Sequence, residues 1–380
     1  MTPTFHLLTG EYPPQTGGVG DYTRLVAAGL AARGAAVHVW CPSATDSAAG
    51  RLNIHQLPDV FGAGSRRTLD EAFRSMPGCV VLEYVPNALG TRGANVRFCV
   101  WLMAVRRRGV DVRVMFHEPY FYFCWQRPWR NALALVQRLM AAVLVRAGAV
   151  TYVSTVAWAS CLRPLGLSAA VESPIPATIT TDASPGSVAR WRARFMGGDP
   201  QALIVGHFGT FGDHIGRELT KVVPLILKAV PAARVVLIGR GSEAFLAELA
   251  QRDPTLGHRV HATGLLSSPD VSAALRACDL VVQPFPDGVT TRRTTVMAAL
   301  ANQVAVVTTE GKLTEPTWRD ADAVRLAPAS DPFAIAAAAA MLLKDPGATA
   351  ALAARGRRLY QARFALEHTL DALLAVAAAA

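Results

Sequence analysis

The amino-acid sequence predicts an α/β protein made of two doubly wound, Rossmann-like domains. Short Val-rich runs alternate with longer amphipathic stretches, which is typical of parallel strands covered by helices on both faces. The alternation stops once near the middle of the chain and then starts again. In addition, 380 residues are too many for one ordinary core and enough for two.

The first half of the chain contains five candidate strands. They lie at residues 5–9, 36–41, 79–85, 112–117 and 150–154, with amphipathic stretches at 22–33, 95–108 and 131–146. Residues 173–185 then contain three prolines and show no helical periodicity. We therefore expect an N-terminal domain over residues 1–175 and a linker over residues 176–190.

The second half repeats the pattern, with candidate strands at residues 202–208, 234–239, 259–263, 280–285 and 304–309. It predicts a C-terminal domain over residues 191–365. The Ala-rich tail, residues 346–380, predicts one or two helices, and we expect residues 366–380 to pack back on the N-terminal domain. Two such domains are expected to face across a cleft at the carboxyl ends of their strands, where doubly wound sheets bind ligands.

Composition restricts the class and the compartment. Hydrophobic residues make up 51% of the chain and charged residues 17%, which indicates a globular protein and excludes a disordered one. The six cysteines are scattered without a C-x-x-C pair, which favours isolated buried thiols in a reducing compartment. There is neither a secretory signal nor a run of 18 apolar residues, so we expect a cytoplasmic protein.

The positive charge lies mainly in the first half. The formal net charge is +10, and residues 1–180 hold 17 Arg and no Lys against 10 acidic residues. Residues 121–130 interleave aromatic side chains with arginines, as in segments that rest on an anionic membrane surface. We expect peripheral attachment to the inner face of the plasma membrane, the alternative being a loop that covers its own core. No recognition helix or base-binding platform indicates a nucleic-acid partner.

Two features of the first half can carry chemistry. Gly17, Gly18 and Gly20 open the first long helix, where backbone amides and the helix dipole favour an anion. The pattern is neither a dinucleotide fingerprint nor a P-loop, and a tight structural turn is the alternative. His117 and Glu118 end the fourth strand. There the imidazole can hydrogen-bond a sugar hydroxyl, and Glu118 can orient it or contact an acceptor. A purely structural histidine is the alternative.

The second half contains further candidates at its strand ends. Residues 206–212 form a Gly-rich turn before Arg217, a place that can admit a pyrophosphate. Gly239, Arg240, Gly264 and Leu265 follow the next two strands and can frame a base and ribose. Residues 283–300 combine a strand end, an acidic turn, Arg292 and Arg293, and a small-residue helix. These arginines can neutralise a diphosphate, assisted by Thr294 and Thr295, although a solvated surface pair is the alternative.

Taken together, the segments at residues 11–22, 277–285 and 304–309 resemble the retaining, GT-B-fold glycosyltransferases of family 4. The resemblance covers nearly the whole chain. It implies that Gly17, Gly18 and Gly20 lie beside the donor phosphates and the acceptor, with Asp21 and Tyr22 near the acceptor. It also implies that His117 contacts the donor sugar.

One departure from that family concerns its two glutamates spaced eight positions apart. Asp287 occupies the first position and Thr295 the second, where a hydroxyl cannot supply the two acceptors with which a carboxylate holds a ribose diol. Thr210 stands where the family has a phosphate-binding Arg, and Arg217 lies one residue beyond the Lys position. We therefore expect a divergent branch in which Arg292 and Arg293 bind the diphosphate.

The resemblance implies a hexosyltransferase-like enzyme (EC 2.4). It would move a sugar from a UDP- or GDP-sugar to a polysaccharide, lipid-linked glycan or secondary-metabolite hydroxyl, with retention. His117 and Asp287 are the expected catalytic residues. We expect neither a metal nor a cofactor, because neither half shows a D-x-D pair near the expected cleft. Two alternatives remain: a non-catalytic GT-B-like binding subunit, and a pseudo-glycosyltransferase that joins cyclitol units.

Overall fold

The computed structural model describes residues 2–15, 17–43 and 50–377. Contacts divide the chain into two compact units. The N-terminal unit contains Met1–Ile175 together with Leu366–Ala380, and the C-terminal unit contains Pro176–Ala365. Each unit is built on one parallel sheet, so the expected α/β class with two doubly wound sheets is confirmed.

The N-terminal unit contains a seven-stranded sheet with the order β3-β2-β1-β4-β5-β6-β7. The order reverses between β1 and β4, which makes this the topological switch point where doubly wound sheets bind ligands. Leu7 of β1 aligns with Val39 on one side and Val81 on the other. The strands are β1 (Thr4–Thr9), β2 (Ala36–Cys41), β3 (Leu52–Gln56), β4 (Cys79–Tyr84), β5 (Val112–Phe116), β6 (Val150–Val153) and β7 (Val171–Glu172).

Helices connect these strands and cover both faces of the sheet. Phe5 and Leu7 pack into one core layer and Leu8 into the other, so β1 is buried on both faces. Burial on both faces explains the nearly continuous apolar runs in the sequence. The first five helices are α1 (Gly18–Ala32), α2 (Ala63–Ser75), α3 (Val96–Arg107), α4 (Trp129–Ala147) and α5 (Val156–Leu162).

The C-terminal unit begins its secondary structure with α6 (Pro185–Met196), inside the segment 176–190 that we expected to be a linker. The side chain of Ser184 accepts a hydrogen bond from the backbone N–H of Ser187, and Pro185 occupies the first helical turn. A Ser cap followed by Pro is a strong helix start. Pro185, the third proline of residues 173–185, therefore begins a helix and does not extend the linker.

The sheet of the C-terminal unit has six strands in the order β10-β9-β8-β11-β12-β13, and its switch point lies between β8 and β11. Ile204 and Val205 of β8 pack into opposite core layers. The strands are β8 (Leu203–Phe208), β9 (Ala233–Ile238), β10 (Val260–Ala262), β11 (Leu280–Gln283), β12 (Ala305–Glu310) and β13 (Arg325–Pro328). The remaining helices are α7 (Asp213–Ala229), α8 (Ser242–Arg252), α9 (Ser268–Arg276), α10 (Thr294–Ala301), α11 (Pro316–Asp320), α12 (Pro332–Lys344) and α13 (Pro346–Leu359).

The Ala-rich tail forms α13 and, after one π-type turn at Tyr360–Phe364, a last helix, α14 (Leu366–Ala377). This last helix belongs to the N-terminal unit and packs on α1. A Cβ atom at Gly29 would lie 2.7 Å from Leu370, so the two helices meet at a glycine. The buried Arg113 donates to the carbonyl oxygen of Leu373 at 2.6 Å, and Tyr152 donates to that of Ala372 at 3.2 Å.

Two further expectations concern cysteines and membrane spans. All six cysteines are free thiols; four are buried, and Cys124 and Cys161 are half-buried. Among the described residues, no single helix has both the length and the apolar character needed to cross a membrane. One pair of helices, Pro332–Lys344 and Pro346–Ala375, passes that test jointly by length and composition, with a bend of 108°.

Candidate functional site

In the N-terminal unit, the turn after β1 brings the side chain of Glu11 against the start of α1. A Cβ atom at Gly17 would lie 2.1 Å from Oε2 of Glu11, and one at Gly20 would lie 3.2 Å from the Glu11 carbonyl oxygen. These glycines therefore allow the close approach. Gly18 is exposed at the helix start, and apart from its own helix and chain neighbours no described residue comes within 4 Å of the Cβ that a side chain would add there.

His117, which follows β5, is held by an acid that sequence analysis did not name. Its Nε2 atom lies 2.8 Å from Oε2 of Glu83 on β4, and both side chains are buried. The indole of Trp158 donates to the His117 carbonyl oxygen at 2.7 Å, and the ring of Tyr22 contacts the imidazole edge-on at 4.9 Å. Because Glu83 occupies Nε2, Nδ1 is the ring nitrogen left for a ligand.

A second carboxyl group stands near this imidazole. Burial raises the pKa of Glu11; the neighbouring His117 opposes that shift, and Glu118 adds to it. Burial also raises the pKa of Asp21, against the effect of Arg24. A carboxyl that retains its proton more readily can donate a hydrogen bond or exchange a proton with a bound hydroxyl. Glu11 and Asp21 are therefore the candidates for proton exchange at this edge of the N-terminal sheet.

In the C-terminal unit, a cavity of about 180 Å³ lies at the switch point between β8 and β11. It brings together five residues that the sequence predicted for donor binding: Thr210, Arg292, Arg293, Thr294 and Thr295. The other lining residues are His207, Phe208, Gly209, Ile215, Gln283 and Phe285.

The arginine turn, residues 291–293 just before α10, is held in place by the side chain of Glu315. This buried carboxylate accepts from the backbone N–H of Thr291 at 2.7 Å, from the Thr291 hydroxyl at 2.6 Å and from the indole of Trp318 at 3.0 Å. The guanidinium of Arg293 lies 4.3 Å from the ring centre of Phe285, a cation–π contact. Two arginines and the start of a helix therefore make this end of the cavity electropositive.

The glycines predicted for nucleoside binding lie at neighbouring strand ends and do not line the cavity. Gly239 follows β9 with φ 122°, and a Cβ there would lie 2.4 Å from the carbonyl oxygen of Gly209. Gly264 follows β10 with φ 67°, and its N–H donates to the Ser242 hydroxyl at 2.9 Å. Arg240 and Leu265 beside them are exposed.

Two other predicted residues lie outside the cavity lining. Arg217 is exposed on α7, where its Nε donates to the carbonyl oxygen of Asp213 and its Nη2 contacts His214. Asp287 lies in the turn after β11 and forms an ion pair with Lys312 at 3.0 Å. The cavity therefore contains the arginine pair and its threonines without these two side chains.

Sequence analysis missed three polar residues that the structure places at these two edges: Glu83, Glu315 and His207. Glu83 and His207 stand inside strands that are otherwise mostly apolar, and a polar residue in such a run is a usable signal of function. Glu315 follows a loop and gave no such signal. No group of three or more His, Cys, Asp or Glu side chains within the described ranges could hold a metal ion.

Comparison with known proteins agrees with this architecture. Residues 199–345, which include the cavity, match the family model of the glycosyl transferases group 1. No curated protein sequence matches the chain significantly.

Solved structures with this fold are numerous. Sucrose-phosphate synthase from Thermosynechococcus elongatus matches with a TM-score of 0.74 and 16% identity, covering 98% of each chain. HepE from Anabaena, in complex with UDP and glucose, matches with a TM-score of 0.73 and 14% identity over 100% of each chain. A glycosyltransferase from Rickettsia africae matches with a TM-score of 0.75 and 11% identity over 99% of this chain and 97% of that one. The chain has the architecture of the GT-B glycosyltransferases, and its family-model match supports that class.

Proposed function

We propose that this protein is a glycosyltransferase that moves a sugar from a nucleoside-diphosphate sugar to a hydroxyl acceptor. The observation that carries the proposal is the cavity at the β8/β11 switch point, where Arg292 and Arg293 meet the start of α10. Arginines and a helix N-terminus are suited to a diphosphate. The family-model match over residues 199–345 supports the same reaction class.

The donor is a UDP-sugar in this proposal, with a hexose as the transferred group. HepE, whose fold this chain shares, has been solved with UDP and glucose and with UDP-glucose, which favours UDP over GDP. We place the enzyme in a divergent branch of glycosyltransferase family 4 that reacts with retention, with Thr295 in the place of the second glutamate.

The proposed roles of the residues follow from where negative charge develops during sugar transfer. Departure of the nucleoside diphosphate places negative charge on a phosphate oxygen, and Arg292, Arg293 and the α10 amides stabilise that charge. Loss of either arginine therefore lowers turnover more than it weakens resting binding. At the edge of the N-terminal sheet, His117 and the carboxyl groups around it bind and orient sugar hydroxyls. Asp287 contacts hydroxyls of the transferred sugar in this proposal.

The first experiment measures donor binding by calorimetry with UDP, UDP-glucose, GDP and GDP-mannose. Arg292→Ala and Arg293→Ala should each weaken UDP-glucose binding about 10-fold or more, because each removes a charge-assisted hydrogen bond. Arg190→Ala, an exposed arginine on α6, is the matched control and should bind like the wild type. If both cavity variants bind donor as tightly as the control, the diphosphate role of the arginine pair is wrong.

The rival functions differ in product. A GT-B-like binding subunit would bind nucleotide sugar without releasing UDP in the presence of any acceptor. A pseudo-glycosyltransferase would release the nucleoside diphosphate and form a product that lacks a glycosidic bond. A panel of donors and acceptors, analysed by mass spectrometry, distinguishes the three outcomes.

We also propose that the N-terminal unit rests on an anionic membrane surface. Trp125 and Trp129 are 97% and 72% exposed, and Leu135 and Leu139 continue the exposed apolar surface along α4. Arg127 is exposed beside them. Exposed indoles next to arginines suit the interface between anionic headgroups and acyl chains. The location that follows is peripheral, on the cytoplasmic face of the membrane.

Vesicle sedimentation tests this surface. The protein should sediment with vesicles that contain phosphatidylglycerol and much less with pure phosphatidylcholine, and 0.5 M salt should release most of it. The double variant Trp125→Ser/Trp129→Ser should lose binding, whereas Phe333→Ser, an exposed apolar residue on α12, should not. Equal binding of the double variant and this control would contradict the proposal.

A further inference from the structure

His207 stands at the end of β8 and lines the 180 Å³ cavity, although its side chain is only 3% exposed. Its Nδ1 atom lies 2.8 Å from the carbonyl oxygen of Val282 on the neighbouring strand β11. A carbonyl oxygen can only accept, so Nδ1 carries the hydrogen and donates it. Burial lowers the pKa of His207 to about 4, so the ring is neutral at neutral pH and Nε2 has a free lone pair.

This lone pair has no partner among the described residues. Nε2 of His207 is shielded from solvent and makes no hydrogen bond with the described residues. It lies beside Gly209: a Cβ at that glycine would be 3.6 Å from Nε2 and 3.6 Å from the methyl group of Thr295. An unpaired buried acceptor costs about 1–3 kcal/mol, so its retention at a ligand cavity calls for a functional reason.

We propose that Nε2 of His207 accepts a hydrogen bond from a hydroxyl group of the bound nucleotide sugar. The inference rests on the proposed function, because it takes the cavity to be the donor site. The diphosphate cannot be the partner, since at neutral pH its oxygens carry essentially no hydrogen to donate. The arginines therefore bind the phosphates, and His207 recognises a polar hydrogen on the ribose or on the transferred sugar.

Gly209 makes this recognition possible. Any side chain at that position would lie in contact with both Nε2 of His207 and Thr295 and would separate them from a ligand. The imidazole itself is held by the Val282 hydrogen bond and by the ring of Phe211, which packs edge-on at 5.3 Å. A fixed, neutral acceptor loses little conformational freedom on binding and rejects a ligand that presents another acceptor.

Two substitutions separate the two ring nitrogens. His207→Asn keeps a donor for the Val282 carbonyl oxygen and removes the Nε2 acceptor. His207→Gln places an amide oxygen near the Nε2 position. His207→Asn should weaken UDP or UDP-glucose binding about 5- to 150-fold and leave inorganic pyrophosphate binding unchanged, and His207→Gln should recover part of the loss. Circular dichroism and melting temperature check that both variants fold.

Analogues that lack one hydroxyl locate the partner. If it is on the ribose, either 2′-deoxy-UDP or 3′-deoxy-UDP binds the wild type more weakly than UDP does, and His207→Asn no longer distinguishes that analogue from UDP. If the partner is on the transferred sugar, His207→Asn weakens UDP-glucose and leaves UDP unchanged.

The outcomes that contradict the inference differ from those that contradict the proposed function. If the wild type binds no nucleotide or nucleotide sugar, the donor site itself is wrong. If the wild type binds UDP and UDP-glucose and folded His207→Asn binds both equally well, only the role of His207 is wrong. Weaker pyrophosphate binding by His207→Asn would also overturn it, because the residue would then act through the phosphate site.

Discussion

Glu83 accepts a hydrogen bond from His117 across two adjacent strands, with Nε2 and Oε2 2.8 Å apart and both side chains buried. The pair fixes the plane of the imidazole and leaves Nδ1 for a ligand. It resembles the arrangement by which a carboxylate orients a functional histidine in many enzymes.

Removing the carboxylate should therefore impair transfer more than donor binding. We expect Glu83→Ala to lower kcat about 10- to 100-fold, with a smaller change in KM for the donor. Glu83→Gln should retain more activity, because its amide oxygen still accepts from His117. Steady-state kinetics with UDP-glucose measure both parameters. Glu71→Gln, at an exposed carboxylate on α2 of the same unit, is the control, and an equal loss in that variant would contradict the special role of Glu83.

The arginine turn should depend on Glu315. Glu315→Ala removes the acceptor of three hydrogen bonds from Thr291 and Trp318, and we expect it to lower the free energy of unfolding by about 2–4 kcal/mol. Among molecules that remain folded, donor affinity should fall as well, because Arg292 and Arg293 lose their support. Urea unfolding measures the free energy of unfolding, and calorimetry measures donor affinity. Glu310→Ala, which removes an exposed partner of Arg319, should change neither by much.

Gly239 should not tolerate a side chain. Gly239→Ala would introduce a Cβ 2.4 Å from the Gly209 carbonyl oxygen at φ 122°, so we expect a loss of about 2–4 kcal/mol in unfolding free energy. Gly186→Ala is the control in the same unit. Its Cβ would come within 4 Å of no described residue outside its own helix and chain neighbours, and Ala favours the helix. Similar stabilities for the two variants would show that the Gly209–Gly239 contact is not close in solution.

Stability should fall in mild acid because two buried histidines stay neutral. Burial lowers the pKa of His6 and of His207 from the usual 6.5 of a histidine to about 4. Between those values the unfolded chain binds protons that the folded chain does not. Each histidine therefore stabilises the fold above pH 6.5, and this contribution is lost progressively as the pH falls toward 4, by at most about 1.4 kcal/mol per pH unit. Urea titrations from pH 7.5 to 4.5 measure the slope. His207→Asn should show a shallower slope than the wild type in the transition of the C-terminal unit.

Most of the fold could be predicted because strands buried in a parallel sheet appear in the sequence as apolar runs. Each of the ten strands expected from sequence has a counterpart within about two residues. The three that were missed are sheet edges with little apolar content. β3 has only Leu52 and Ile54 as aliphatic residues, and the two residues of β7 are both exposed. β13 mixes Arg325 and Pro328 with two apolar residues. The conformation of an edge strand is set largely by pairing with the neighbouring strand, so its own composition is a weak predictor of strand structure.

The candidate sites were less predictable, because they join residues that are far apart in the chain. The order of strands brings Arg292 and Thr210 into the lining of one cavity. This was foreseeable, because both residues follow strand ends in the sequence. The contacts Glu83–His117 and Glu315–Thr291 depend on register and side-chain direction, and these emerge only when the sheet is assembled. In the sequence, His207 is only one polar residue within a strand. Its Nδ1 is used by the Val282 carbonyl oxygen, and this contact, which leaves Nε2 unpaired, is visible only in the assembled sheet.

The return of α14 to the N-terminal unit has a consequence for biosynthesis. The segment Leu366–Ala377 supplies Leu370 and Leu373 to a core whose other residues come from the first 175 positions. A ribosome reaches that helix only after it has made all of Pro176–Ala365. During translation the C-terminal unit can thus complete its own core first. The N-terminal unit, although its first 175 residues are made earlier, still exposes the groove beside Gly29 and Arg113 at that stage. Nascent chains that stall before Leu366 would present that groove to chaperones and proteases.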